Sequence, residues 1–468
     1  MARARLSPLF TDLYELTMMQ GYRLSGLRDR WAIFDLFFRT LPYEGGYAIA
    51  AGLDDAVRFL LDLRFEEEDL DYLRGLRMFR DAFLEGLRGF RFTGDVDAIP
   101  EGTPVFPLLP LVRVRAPLDE AQLVESGLLN LVNYQTLIAT KAARVCLEAR
   151  EQAVVEYGLR RAHGPAGALL ATRAAYVGGC AGTSNVEAGR RYGIPVSGTM
   201  AHSWVTAFPD EATAFRRFLE IYGEDGVLLV DTYDTLESGL PHAIELAKER
   251  RRAGGGLKGI RIDSGDLAYL STEARRRLDE AGLPDVKIFA SSDIDEWIIH
   301  DLKSQGAAID AWGVGTSISS GKGDSALNGV YKLAAVRGPG GDWVPKRKLS
   351  DAPGKSTLPG EKQVFRLFDR EGTMMADLVE IGEDPPAPGE PVVGHHPALR
   401  GVSKRYEGVD RVEPLLRPVL RGGKPVTESP SLDAIRERRR EGLEALHPTS
   451  RRLLNPHRYK VSLGPRLQ

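Results

Sequence analysis

VLLVDTYD at 227–234, GIRIDSGD at 259–266, KIFASSDID at 287–295 and AWGVGTS at 311–317 share one pattern. Each opens with a short apolar run of strand-forming residues and breaks into acids, serines or glycines. LESGLPHAIELAKERR (236–251), LAYLSTEARRRLDEAG (267–282) and DIDEWIIHDLKSQG (293–306) separate them, each with helical spacing of apolar residues. Strands alternating with helices of about 10–15 residues predict a parallel sheet with crossover helices. Upstream, IPVSG (194–198) leads through GTMAHSWV to the helical EATAFRRFLEIYG, one more such unit. The polar residues fall at the carboxyl end of each strand: Asp231 and Asp234, then Asp263, Ser264 and Asp266, then Ser291, Ser292 and Asp293, then Gly313, Gly315 and Thr316. In α/β barrels and open α/β sheets this end carries the site. A single such aspartate reads equally as a helix cap, but four successive units point to one shared site.

Further out the character changes. YELTMMQGYRL reads as a helix, RWAIFDLFFR as a strand, and LDDAVRFLLDL and DYLRGLRMFRDAFLEGLRGF as amphipathic helices. EGTPVFPLLPLVRVRAP (101–117) is strand-like but interrupted by prolines. A long helical pattern runs from Leu118 to Arg150. VFRLFDREGTMMADLVEI (364–381) reads as a hairpin turning at Glu-Gly, EDPPAPGEPVVGHHP (383–397) as a linker or long loop, and LDAIRERRREGLEALHP as a helix with a solvated arginine face. The expected organisation is an N-terminal α/β segment over 1–117, a barrel over 118–335, and a C-terminal segment over 336–468 that returns to the first.

The 468 residues are 43% hydrophobic and 27% charged, with 62 basic and 65 acidic side chains. This balance excludes a largely disordered chain and offers no global field for nucleic acid. Two cysteines, Cys146 and Cys180, exclude a disulfide framework and a four-cysteine zinc site. Acids interrupt the N-terminal segment and no run of about 18 apolar residues occurs, so neither a secretory signal nor a membrane span is expected, and the cytoplasm is the default.

Three constellations could carry chemistry. In GGCAGTSNVEAGRRYGIPVSGTMAHSWV (178–205), small residues would let backbone N–H groups approach a ligand. Ser184 and Glu187 there have capping-box spacing, which predicts a helix starting near Asn185 and an anion site at its start. His202, just past a strand, is either a satisfied structural histidine or a nucleophile or acid–base group. Asp231, Asp263 and Asp266 form a possible Mg²⁺ rosette, since Mg²⁺ takes one or two carboxylates and completes its shell with substrate phosphates. Arg261 alternates onto the face of Asp263 and reads as a salt bridge or a phosphate clamp. Lys346, Arg347, Lys348, Lys355 and Lys362 read as a solvated loop by composition. Beside an acidic site and a GVGT turn they also suit a polyphosphate substrate. The residues alone thus reach a Mg²⁺-dependent enzyme acting on a phosphorylated compound.

LFTDLYELTMMQGY (9–22), FFRTLPYEGGYAIAAGL (37–53), EGTPVFP, LVESGLLNLVNYQTLIATKAAR, TSNVEAGRRYGIPVSGTMAHSWV, LLVDTYDT, GIRIDSGDL, FASSDIDE, WGVGTS, NGVYKL and KLSDAPGKSTLPGEKQVFR stand in the order of one family. The chain resembles the nicotinate phosphoribosyltransferases from about residue 9 to 368, and more weakly to NPHRYKVSL. The resemblance implies the type II phosphoribosyltransferase fold: an irregular α/β barrel plus an α/β sandwich built from both chain ends, in a homodimer. It implies transfer of phosphoribose from phosphoribosyl pyrophosphate to nicotinate in NAD salvage, coupled to ATP hydrolysis. His202 matches the histidine that ATP phosphorylates, Tyr14 the aromatic that stacks on the pyridine across the dimer, and Arg173 an arginine of the nicotinate and phosphate pocket. Thr183 and Ser184 would lie at the base; a neutral Ser184, where nicotinamide-using relatives carry aspartate, favours nicotinate. Asp231 and Asp263 would sit near the ribose and Mg²⁺-pyrophosphate, with Arg261, Ser264, Gly265 and Asp266 facing the substrate. Gly313, Gly315 and Thr316 would bind the 5′-phosphate, and Lys348, Lys355 and Lys362 would lie on or near a loop over the nucleotide. The alternatives are a phosphoribosyltransferase for nicotinamide or another pyridine, and a silent nucleotide-binding paralogue.

Overall fold

A computed structural model describes residues 5–348 and 357–467. The chain divides into two compact units, one from Met1–Thr140 with Ala326–Gln468 and one from Lys141–Ser325. The middle unit is thus shorter at both ends than the 118–335 expected for it. The reason at the near end lies in the long helix Glu125–Ala149, whose first turns bond into the N-terminal unit. Thr136 and Thr140 accept from the backbone N–H groups of Ala51 and Ile49. A Cβ on Gly52 would stand 2.4 Å from the Leu131 carbonyl, so this approach needs glycine, which also sits at φ +95°.

In the middle unit six strands pair in parallel: β1 (Ala153–Glu156), β2 (Gly182–Thr183), β3 (Val227–Leu229), β4 (Gly259–Ile262), β5 (Lys287–Ser292) and β6 (Ala311–Val314). Their spatial order is β2-β1-β6-β5-β4-β3, and Thr183 is also bridged in parallel to Val196. The first strand therefore pairs with the last, and the chain order runs around a ring. Among the described residues the ring lacks ladder bonds only between the Val196 segment and β3, which makes the barrel irregular. The strands are near-continuous apolar runs because helices cover them; β3 and β6 are buried at every residue.

The other unit takes strands from both ends of the chain. One antiparallel sheet runs Trp343–Pro345, Gly329–Arg337, Trp31–Phe38, Val112–Pro117, Asp95–Ala98, Arg417–Arg421 and Lys424–Pro425. A second runs Ser403–Tyr406, Val392–His395, Val461–Leu463, Met374–Ile381, Lys362–Phe368 and Arg411–Pro414. The expected hairpin is present, as the pair Lys362–Phe368 and Met374–Ile381, with Gly372 at φ +78° in its turn. The Pro-rich stretch is not simply a linker, because its Val392–His395 supplies a strand of the second sheet. Among the described residues no helix is long and apolar enough to cross a membrane.

Lys362 needs a second correction. It heads a wholly buried strand instead of lying on a loop. Its ammonium is 2.7 Å from Asp35 Oδ2 and donates to the carbonyls of Leu358 and Gly360. Three acceptors offset the desolvation of the buried charge, so Lys362 is structural. Lys348 is exposed, with its N–H donated to Thr357 Oγ1; Lys355 lies outside the described residues.

Tyr14 belongs to this unit, in the helix Leu13–Leu24, and is half-exposed. Burial, then the carboxylate of Glu125, pushes its phenol well up. Next to it Glu15 is fully buried and accepts from Ser126 N–H at 2.9 Å and from the hydroxyls of Ser126 and Thr11. Burial pushes its carboxyl from 4.5 up to about 7. A carboxyl raised in the folded state binds its proton more tightly than the unfolded chain does. Its contribution to stability is therefore full below about pH 4.5, declines as pH rises towards about 7, and is constant above. Urea midpoints from pH 4.5 to 8 should fall with rising pH more steeply in the wild type than in Glu15→Gln; parallel curves would remove Glu15 as the cause.

Candidate active site

The turns at the carboxyl ends of β3, β4 and β5 are tied to one another. Asp231 Oδ2 accepts from Asp263 N–H at 3.0 Å and from Ser264 Oγ at 2.6 Å. Asp263 Oδ1 in turn accepts from Ser291 Oγ. Three strand ends thus present two carboxylates at one place, as the strand-end pattern predicts. His202, the first residue of the helix His202–Thr206, joins this group. Its Nδ1 is 3.2 Å from Thr232 Oγ1 and its Nε2 is 3.9 Å from Asp263 Oδ2. The side chains of His202 and Asp263 remain 45% and 35% exposed, so the pair is open to a substrate.

Arg261 does something other than pair with the acids. Its Nη1 donates to Thr199 Oγ1 at 2.7 Å and its Nη2 to the Met200 carbonyl at 3.0 Å. The guanidinium thereby holds the segment that delivers His202, where the ring of strands lacks ladder bonds. Asp266 leaves the rosette: it caps the helix Leu267–Glu280 by accepting from Tyr269 N–H at 3.1 Å. Asp234 likewise accepts from the N–H groups of Leu236 and Glu237. Gly265 turns the chain between Asp263 and Asp266 at φ +83°.

The glycines of GVGT have an unexpected reason. A Cβ on Gly313 would stand 2.5 Å from the Tyr157 ring, and one on Gly315 3.1 Å from the Tyr157 carbonyl. Tyr157 N–H donates to the Val314 carbonyl at 2.8 Å. Gly313 is thus needed by the tyrosine ring that leans over it, and Thr316 begins the short helix Thr316–Ser319 beside this turn. Tyr157 follows β1 as Asp231 follows β3 and feels the charges of Arg261 and Asp263. Reading AVVE as a strand and applying the strand-end rule to it would have found Tyr157.

On the far side of β1, Thr183 and Asn185 are buried and Ser184 is partly exposed. The capping box expected of Ser184 and Glu187 does not form. Asn185 caps the helix Val186–Tyr192 by accepting from Ala188 N–H, while Glu187 pairs with Arg190 and Arg191 on the helix surface. The amide of Asn185 reaches its own turn more directly than the hydroxyl of Ser184. Arg173 is buried in the helix Gly164–Gly178.

Among the described residues no three His, Cys, Asp or Glu side chains gather as a metal cage. Asp231 and Asp263 nevertheless fit a Mg²⁺ ion shared with phosphates, which needs only one or two carboxylates. Asp231 Oδ1 is buried without a hydrogen-bond partner, an acceptor with its desolvation uncompensated by the protein.

Family models match along the chain: the nicotinate phosphoribosyltransferase N-terminal domain over residues 9–133, the nicotinate phosphoribosyltransferase family over 152–281, and the nicotinate phosphoribosyltransferase C-terminal domain over 361–468. The chain is 43% identical to the nicotinate phosphoribosyltransferase of Bacillus subtilis, covering 97% of this chain and 92% of that protein. It is 36% identical to the human nicotinate phosphoribosyltransferase, covering 100% and 96%. The crystal structure of human nicotinic acid phosphoribosyltransferase superposes with a TM-score of 0.85 at 34% identity over 98% of both chains. A nicotinate-nucleotide pyrophosphorylase from Pyrococcus furiosus shares the fold, with a TM-score of 0.72 at 24% identity over 95% and 99%.

Proposed function

The chain belongs to the nicotinate phosphoribosyltransferase family, and on that premise we propose how its residues transfer phosphoribose to nicotinate. The pyridine nitrogen attacks C1′ of phosphoribosyl pyrophosphate, the C1′–O bond to pyrophosphate breaks, and nicotinate mononucleotide and pyrophosphate leave. Positive charge grows on the ribose as negative charge grows on the leaving group. Asp231 and Asp263, fixed on three strand ends, supply the anionic wall for the first. Mg²⁺ held at these two carboxylates would neutralise the second. The turn Gly313–Thr316 under the Tyr157 ring suits the 5′-phosphate. Arg173, Thr183 and Ser184 suit the base and its carboxylate.

Coupling to ATP runs through His202. With Nδ1–H donated to Thr232 Oγ1, the Nε2 lone pair is free to take the γ-phosphoryl group of ATP, releasing ADP. Water later returns the histidine and releases phosphate. The observation that supports this reading is the chain His202–Asp263–Asp231, which sets a nucleophilic nitrogen beside the acids serving the ribose. The working protein is a homodimer in which a second copy's Tyr14 meets the base, a reading supported by the exposure of Tyr14.

The test is formation of nicotinate mononucleotide from nicotinate, phosphoribosyl pyrophosphate and Mg²⁺, with and without ATP, in wild type and His202→Ala. ATP should stimulate the wild type and label it with acid-labile phosphate, and do neither in the variant. Equal stimulation of both would remove the phosphohistidine, and no product in the wild type would remove the transfer itself.

A further inference from the structure

Glu156 ends β1 and is 1% exposed, yet among the described residues no cation pairs with it. Burial pushes its carboxyl up. Its partners are all donors. Oε1 accepts from Gly158 N–H, and Oε2 accepts from Thr183 Oγ1 at 2.7 Å and Thr172 Oγ1 at 3.0 Å. The network continues outward from these hydroxyls. Thr183 Oγ1 accepts from Asn185 N–H at 2.9 Å, and Thr172 Oγ1 accepts from the Asn185 side-chain amide at 3.2 Å. The Glu156 carbonyl accepts from Ser184 N–H at 3.0 Å.

One carboxylate thereby grips both turns beside it. On one side it fixes Gly158, directly after Tyr157. On the other it fixes Thr183 and, through its own backbone, Ser184. A buried carboxyl group surrounded only by hydroxyls and N–H groups is an expensive way to hold a loop. An apolar residue packing the same space would avoid that desolvation. What the carboxyl group adds is direction: it turns the hydroxyl of Thr183 inward and shares that of Thr172 with the Ala168 carbonyl, 3.0 Å away, and so fixes which groups of Thr183–Asn185 remain free to meet a ligand.

We infer that Glu156 is a positioning residue for the base: it touches no substrate, but sets the placement of Thr183 and Ser184 and with it the affinity for nicotinate. This rests on the proposed transfer to nicotinate. It predicts a split that a merely structural role would not give, because the acids and His202 lie on other strand ends and do not bond to Glu156.

Steady-state kinetics with each substrate varied in turn test it on Glu156→Gln, Thr172→Val and Thr172→Ser. Glutamine keeps the shape and an acceptor for Gly158 N–H, but turns an NH₂ group towards the two hydroxyls. Valine removes one of them without changing the volume much. Both variants should raise KM for nicotinate about tenfold, the worth of one directed hydrogen bond. KM for phosphoribosyl pyrophosphate should stay within about twofold, and Thr172→Ser should restore the wild-type value. Should Glu156→Gln fail to fold, the Thr172 pair decides alone. Equal rises in both KM values, or no change in either, would overturn the inference while leaving the proposed function standing. A wild type that makes no product from nicotinate would overturn both.

Discussion

Asp231→Ala should lower kcat/KM for phosphoribosyl pyrophosphate by about 10²- to 10³-fold, on the order of 3–4 kcal/mol of transition-state stabilisation. Two losses combine in it. The carboxylate near the developing ribose charge disappears, and so does the acceptor for Asp263 N–H and Ser264 Oγ. The second loss loosens the turn that aims Asp263 at His202. Asparagine separates the two effects. Its carbonyl oxygen can take the place of Oδ2 and keep both donors satisfied, so Asp231→Asn should restore most of the thermal stability. Activity should stay within about tenfold of the alanine variant, because the charge is gone. An asparagine variant with wild-type kcat/KM would mean that Asp231 only holds the turn. The design is informative because the same side chain has one oxygen engaged and one, Oδ1, buried without a protein partner.

The barrel was legible because its signals are local. An apolar run such as GIRI announces a strand, and the polar residues behind it announce the functional end, without knowledge of any distant contact. Asp231 and Asp263 follow from that rule. Asp234 and Asp266 obey the same rule and yet cap helices, because cap and site residues are the same types at the same position. Only the direction of each carboxylate tells them apart. Lys362 was misread for a different reason. Its neighbours in sequence are basic and proline-rich, and its burial depends on Asp35 in a strand near the other end of the chain. Arg261 is similar: alternation placed it correctly on a strand, but its partners Thr199 and Met200 lie on a segment with little regular structure of its own. The strand Val392–His395 has Pro391 just before it, and only pairing with Ser403–Tyr406 and with Leu463 reveals it. Tyr157 was accessible to local reasoning and overlooked, whereas its need for Gly313 required the fold.

Glu296→Ala should cost about 3–5 kcal/mol of stability, more than any other single side-chain removal argued above. Glu296 opens the helix Glu296–Ser304 with its side chain 1% exposed. Lys141 Nζ lies 2.7 Å from Oε2 and Arg144 Nε 3.0 Å from Oε1, and both cations are almost wholly buried. Removing this carboxylate takes away the anion that the two desolvated cations share. The arginine keeps its charge at any accessible pH, so the lysine must yield. Burial already holds the Lys141 ammonium below its ordinary value, and loss of Glu296 pushes it lower. A depressed lysine favours the folded state once it is neutral. The deficit of the variant should therefore shrink as pH rises from neutrality towards 10, which is opposite in sign to the trend argued for Glu15. Urea midpoints at pH 7 and pH 9.5 measure this. The pair Lys322–Asp295, one residue away, provides the contrast, because its lysine is 54% exposed although Asp295 is buried. Lys322→Ala should lower stability by less than about 1 kcal/mol at either pH, because the lysine is already solvated and Asp295 keeps its hydrogen bonds from Trp297 and Ile298 N–H. If both variants cost the same, burial is not what makes the Lys141–Arg144–Glu296 cluster costly to break. If Glu296→Ala fails to recover at high pH, the lost energy lies in packing instead of in the lost charge pairing.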